Sequence, residues 1–219
     1  MVFVVTLACA AASATLAYAQ HGVPADWGQG LKWHERAAEQ GDAEAQYRLG
    51  LFHEVGVATD PDPAVARHWY WQAAEQDHGP AQFRLASMLQ SGIGGPADLS
   101  AAVRFYRAAA ENGVAEAKHN LGIMLERGIG TDPDPAAAAR LYEGAARAGI
   151  PQAALNLSLL YLEGRGVAQD RGVALAWLTI AAEAGVPGAQ ATRSELYDQM
   201  SEAERREVAA RLEEIQASQ

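Results

Sequence analysis

Ala37-Ala38-Glu39-Gln40-Gly41 returns almost unchanged as Ala73-Ala74-Glu75-Gln76-Asp77 and again as Ala181-Ala182-Glu183-Ala184-Gly185. Glycines at 41, 113, 149 and 185 are separated by multiples of 36, with Asp77 standing where the missing glycine would fall. A fixed period of this length means stacked supersecondary units, because no single unit of that size can bury its own apolar face. The spacing predicts one elongated all-α object and moves the search for function from a pocket to a long surface.

Each period reads as two helices. Ala45, Leu49 and Phe52 fall on one helical stripe between Glu44 and Glu54. Gly56 is placed to stop that helix, and Asp62-Pro63 to start the next as N-cap and first-turn proline. The pattern recurs as Ala45, Ala81, Ala117, Ala153 and Ala189; as Leu49, Leu85, Leu121 and Leu157; as Gly56, Gly92, Gly128 and Gly164; and as Asp62, Asp98, Asp134 and Asp170. One bulky residue per second helix, Trp33, Trp69, Phe105, Leu141 and Trp177, is expected to fill the space between neighbours. The ends differ: 24–40 supply a lone second helix, 187–198 a lone first helix, and Ser201-Glu202-Ala203-Glu204 a capping box opening a last, lidding helix. Eleven helices are expected.

Residues 1–19 stand apart. An uncharged apolar and small-residue run ends Ala17-Tyr18-Ala19, the ending of a cleavable secretory signal cut after Ala19, although its start carries no Lys or Arg. The expected organisation is therefore a signal at 1–19, an N-terminal capping helix at 20–40, repeats at 41–198 and a C-terminal capping helix at 199–219. The only cysteine, Cys9, lies in the signal, so the mature chain would hold no disulfide. Net charge is −10, only Lys32 and Lys118 are lysines, and no basic stripe appears. Nucleic acid and anionic membrane surfaces are accordingly excluded as partners.

The anchors Ala45-Gln46-Tyr47-Arg48-Leu49-Gly50, Ala117-Lys118-His119-Asn120-Leu121-Gly122 and Gly164-Arg165-Gly166-Val167-Ala168-Gln169-Asp170 resemble the Sel1-like repeat family, relatives of the tetratricopeptide repeats. The resemblance spans about residues 24–198. It implies an all-α, right-handed α-solenoid of about four to five helix-pair repeats of 36 residues, closed by a C-terminal capping helix. By the geometry of tetratricopeptide stacks, the first helix of each pair would line a concave face. Tyr47, Phe83 and His119 would then form one ladder, Arg48, Arg84, Asn120 and Asn156 the next, and Glu54 and Glu126 a third. Such ladders suit an extended peptide or partner helix, aromatics by packing and Arg or Asn by hydrogen bonding. Residues of these types also serve to brace neighbouring units.

Chemistry finds no foothold. The twin hexapeptides Thr59–Ala64 and Thr131–Ala136 pair two aspartates, yet lack the remaining ligands of a calcium loop. The six histidines share no ligand spacing. Gly92-Ile93-Gly94-Gly95 is followed by no Lys-Ser/Thr. Some relatives are described as acting on β-lactams, but these look cysteine-rich, and no Ser stands three before Lys32 or Lys118, where Gln29 and Ala115 lie. The expectation is a periplasmic or secreted, monomeric, non-catalytic scaffold for a protein or peptide, with no cofactor and no metal. The competing readings are a β-lactam or cell-wall hydrolase and a purely structural spacer.

Overall fold

The loop aspartates act as the sequence requires: Asp134 accepts the Ala137 N–H at 2.8 Å and Asp62 those of Ala64 and Val65 at 3.0 Å, fixing where each second helix begins. Gly56, Gly92, Gly128 and Gly164 close the first helices in the left-handed conformation, each donating its N–H back into the helix. In the computed structural model, which describes residues 27–217, these signals delimit eleven helices among the described residues. They are α1 (Trp27–Glu39), α2 (Ala43–Val55), α3 (Pro63–Ala74), α4 (Gly79–Ser91), α5 (Leu99–Glu111), α6 (Ala115–Arg127), α7 (Pro135–Arg147), α8 (Pro151–Glu163), α9 (Arg171–Glu183), α10 (Ala189–Asp198) and α11 (Glu202–Ala217). The expected signal segment, with Cys9 and the expected cut after Ala19, lies outside the described residues, as does the expected start of the first capping helix.

Successive helices from α1 to α10 pack in order, and α11 folds back on α9. The resulting α-solenoid alternates first helices (α2, α4, α6, α8, α10) with second helices (α1, α3, α5, α7, α9). Its capping box is formed as read, the Ser201 N–H donating to Glu204 at 2.7 Å and the Glu204 N–H to the Ser201 hydroxyl at 3.3 Å. Val208 and Ile215 bury the lid's apolar edge. Asp77 has φ of 58°, the left-handed geometry that Gly41, Gly113, Gly149 and Gly185 adopt at the same point of their units. Aspartate is among the few residues with a side chain that tolerate it.

The repeated alanines and leucines are buried as expected, bringing helices close and filling the gap between them. The expected row of large residues needs correction. Trp33 is 53% exposed and Trp69 and Leu141 are half-buried; only Phe105 and Trp177 are in the core. The bulk that fills each unit sits one residue later, in Tyr70, Tyr106 and Tyr142, with Leu178 at the fifth position and buried His34 at the first. Helical phase decides this. Ala66, Tyr70 and Ala73 share a stripe at i, i+4 and i+7, whereas Trp69 is turned about 100° off Tyr70, toward the rim.

Buried amides tie unit to unit. Gln46 and Gln82 donate to the Ala38 and Ala74 carbonyls at 3.1 and 3.2 Å, adding a second bond at the ends of α1 and α3 to oxygens that already accept the Gly41 and Asp77 N–H groups. Gln76 and Asn112 in turn donate to the Gln46 and Gln82 side chains at 2.7 and 2.8 Å.

Candidate binding surface

Along the first helices, the residues one and two before each repeat leucine emerge on one side and remain half-buried. Tyr47 rests on Tyr70 (ring centroids 5.8 Å apart) and on His78 (4.8 Å). His78 caps α4: its Nδ1 accepts the Ala81 N–H at 3.2 Å, so the ring proton belongs on Nε2, which donates to Glu44 at 3.0 Å. Arg48 closes the same group by pairing with Glu44 at 2.5 Å. The His78 hydrogen bond first, and Arg48 after it, hold the Glu44 carboxyl down at about 2 against the opposing effect of partial burial.

This yields a pH prediction. The folded chain favours the Glu44 carboxylate over its ordinary value of 4.5, so the contribution is complete above that pH. It is lost as pH falls toward 2. Urea midpoints of the native chain should drop through that window more steeply than those of Glu44→Gln. The effect is modest, because the side chain is half-exposed and screened. Superimposable acid limbs would refute it.

Arg84 reaches back to Glu54 at 3.5 Å, and Phe83 packs on Tyr106 at 5.9 Å. Asn120 donates to the Tyr106 hydroxyl at 3.2 Å. His119 lies 5.9 Å from the Tyr142 ring and 3.2 Å from the Asn156 amide nitrogen. Burial pushes the His119 imidazole below its ordinary range, which keeps it neutral. The third row faces the core. Glu54, Gln90 and Glu126 accept hydrogen bonds from Tyr70, Tyr106 and Tyr142, the last two at 3.0 and 2.7 Å. Desolvation, reinforced by the adjacent carboxylates, drives the Tyr70 and Tyr142 phenols far above their usual range, so they stay donors. Arg165 adds a second bond to Glu126 at 2.7 Å.

The nine expected site residues thus fall into three groups, gathered around Tyr70, Tyr106 and Tyr142. Tyr47, Arg48, Phe83, Arg84, His119, Asn120 and Asn156 offer half-exposed aromatic faces, guanidinium groups and amides outward. Glu54 and Glu126 turn inward as partners of buried tyrosines. Tyr106 and Tyr142 escaped the sequence reading. Their signal was a spacing: Glu54 and Tyr70, Gln90 and Tyr106, Glu126 and Tyr142 are each sixteen apart, and where the first becomes Leu162 the second becomes Leu178. A glycine completes the set, for a Cβ on Gly122 would stand 2.6 Å from the Tyr142 ring, and Gly50 faces Tyr70 in the same way.

The family model of the Sel1 repeat matches residues 8–42, 43–78, 79–114, 115–150 and 151–186. The chain belongs to the Sel1 repeat family. Four of the five matches begin at or within one residue of the start of a first helix, so the Sel1 unit and the structural unit coincide. The first match begins within the apolar N-terminal stretch, outside the described residues. Among solved structures, a Sel1 repeat protein of Oxalobacter formigenes is 33% identical with a TM-score of 0.74, over 84% of this chain and 76% of its own. A protective antigen present in uropathogenic Escherichia coli strains, displaying an SLR fold, is 30% identical with a TM-score of 0.77, over 85% of this chain. The chain spans 40% of that antigen's length. No curated protein matches it. Sel1 repeat proteins generally serve as protein-interaction scaffolds and are typically non-enzymatic.

Proposed function

We propose that this chain is an exported, monomeric, non-catalytic adaptor that holds a protein or peptide partner along its first-helix face. The observation that carries the reading is the set from Tyr47 to Asn156, whose half-exposed side chains already hold contacts with Tyr70, Tyr106, Tyr142 and neighbouring polar groups. Preorganised side chains lose little freedom when a partner docks, so more of each contact appears as affinity. Their identities also change from unit to unit, which is what a surface needs to read one extended partner in one register. The export reading rests on Ala17-Tyr18-Ala19 and its apolar lead-in.

A photoreactive amino acid placed at Tyr47 or His119 should crosslink a discrete partner in the native envelope. The same group at exposed His68, on the second helix α3, should not. Crosslinking that is equal from both faces, or absent from the first, would sink the proposal. N-terminal sequencing of the exported chain should begin near Gln20; an intact Met1 would remove the export element alone.

A further inference from the structure

A hollow of about 430 Å³ opens between α5, α6 and α7, on the second-helix side of the stack and away from the ladder. Its floor is apolar, formed by Leu121, Leu125 and Leu141 with Gly144 beside them. Arg107, Lys118 and Arg140, one from each helix, stand around it. Glu111 and Asp134 also border the hollow, and Asp134 has an oxygen engaged in capping α7. None of the three cations is ion-paired among the described residues. In a chain of net charge −10, three cations around one apolar seat form a local reversal of sign.

The chain's own repeats show how the hollow arises. One unit earlier, the positions of Arg107 and Leu141 are held by Trp71 and Phe105, which pack edge to face at 5.3 Å and fill the space. One unit later, the position of Leu141 is Trp177, covered by Arg147 at 5.9 Å. Gln46 and Gln82 turn inward to bond the preceding helix, whereas Lys118 in the same position runs outward over Gly144, its Nζ 3.8 Å from where a Cβ would be. Removal of bulk and gain of cations thus coincide at a single junction.

We propose that this hollow is a second binding site, which takes an apolar side chain and its neighbouring carboxylates from an acidic segment of a protein partner. The apolar side chain would lie on Leu121, Leu125 and Leu141, and Lys118, Arg107 and Arg140 would receive the carboxylates as charge-assisted hydrogen bonds. Arg107 and Arg140 are exposed and the mouth is broad. A free small ligand would keep much of its surface in water there, while a side chain carried by a peptide needs only a shallow seat. The proposal rests on the adaptor reading in assigning a protein partner, but uses a different face.

The test is an NMR titration of the full chain with the acetylated, amidated peptide Ala-Phe-Asp-Glu and its uncharged counterpart Ala-Phe-Asn-Gln. The acidic peptide should shift the Lys118 and Gly144 amides with a Kd of about 0.1–1 mM, and the uncharged one should bind at least about tenfold more weakly. Leu141→Trp fills the hollow with a residue the chain already carries at Trp177, so it should fold and lose the site. Lys118→Gln with Arg140→Gln should weaken binding about tenfold with no change in packing. Arg84→Ala, on the ladder, should leave this binding intact, which separates failure here from failure of the adaptor reading. Equal binding of both peptides, undiminished binding by a folded Leu141→Trp or by the double glutamine variant, or no saturation of the native chain by about 10 mM, would overturn the proposal.

Discussion

Tyr106→Ala is expected to destabilise the chain by about 3–5 kcal/mol and to replace one cooperative urea transition by two. Tyr106 is the central member of the tyrosine row. Its hydroxyl, on α5, donates to Gln90 on α4 and accepts from Asn120 on α6, and its ring supports Phe83. Truncation therefore leaves a cavity and unties the helices on both sides. In a solenoid each unit contacts only its neighbours, so a broken central interface isolates the two ends. Far-ultraviolet circular dichroism during urea unfolding should show the N-terminal and C-terminal halves melting separately, with a lower m-value for each. A single transition displaced by less than about 1 kcal/mol would show that the tyrosine row does not carry the coupling.

Tyr142→Phe is expected to cost about 1–3 kcal/mol, most of it from the carboxylate that loses its donor rather than from the hydroxyl itself. Glu126 accepts from Tyr142 on one oxygen and from Arg165 on the other, and its side chain is only 16% exposed. The chain contains its own control, since Leu162 and Leu178 occupy the same two positions one unit later with no polar atom in either side chain. Tyr142→Phe should accordingly be milder in a Glu126→Leu background, with a coupling of about 1–2 kcal/mol in the double-mutant cycle. Losses that add to within about 0.5 kcal/mol would mean the pair is not a unit.

The architecture was legible because each signal was local. Asp62, Asp134, Gly56 and Gly128 act on backbone groups within four residues of themselves, and a period of 36 repeats them until chance is excluded. Even Asp77 could be placed by register alone. Tyr106 and Tyr142 were not found, because the larger Trp33 and Trp69 drew attention and only the helical phase, one residue later, reveals which side chain points inward. Glu54 and Glu126 read as surface charges because their partners lie on another helix. The hollow was invisible for a different reason: it consists of missing bulk at Leu141 and Gly144, and absence carries no motif.

The glycine, carboxylate and tyrosine set of Gly50, Glu54 and Tyr70 is copied at Gly122, Glu126 and Tyr142, while the unit between carries Ala86, Gln90 and Tyr106. Adjacent units are therefore not interchangeable. During folding, a second helix that docks on its neighbour's first helix sets Tyr70 over Ala86, whose methyl excludes the ring from the place it takes over Gly50, or Tyr106 over Gly50, where that methyl is missing. Mispairing between neighbouring repeats is a characteristic failure of such arrays. Alternation of the set makes the chain self-indexing: a helix that docks one unit out of place meets the wrong floor, and the matching floor lies two units away.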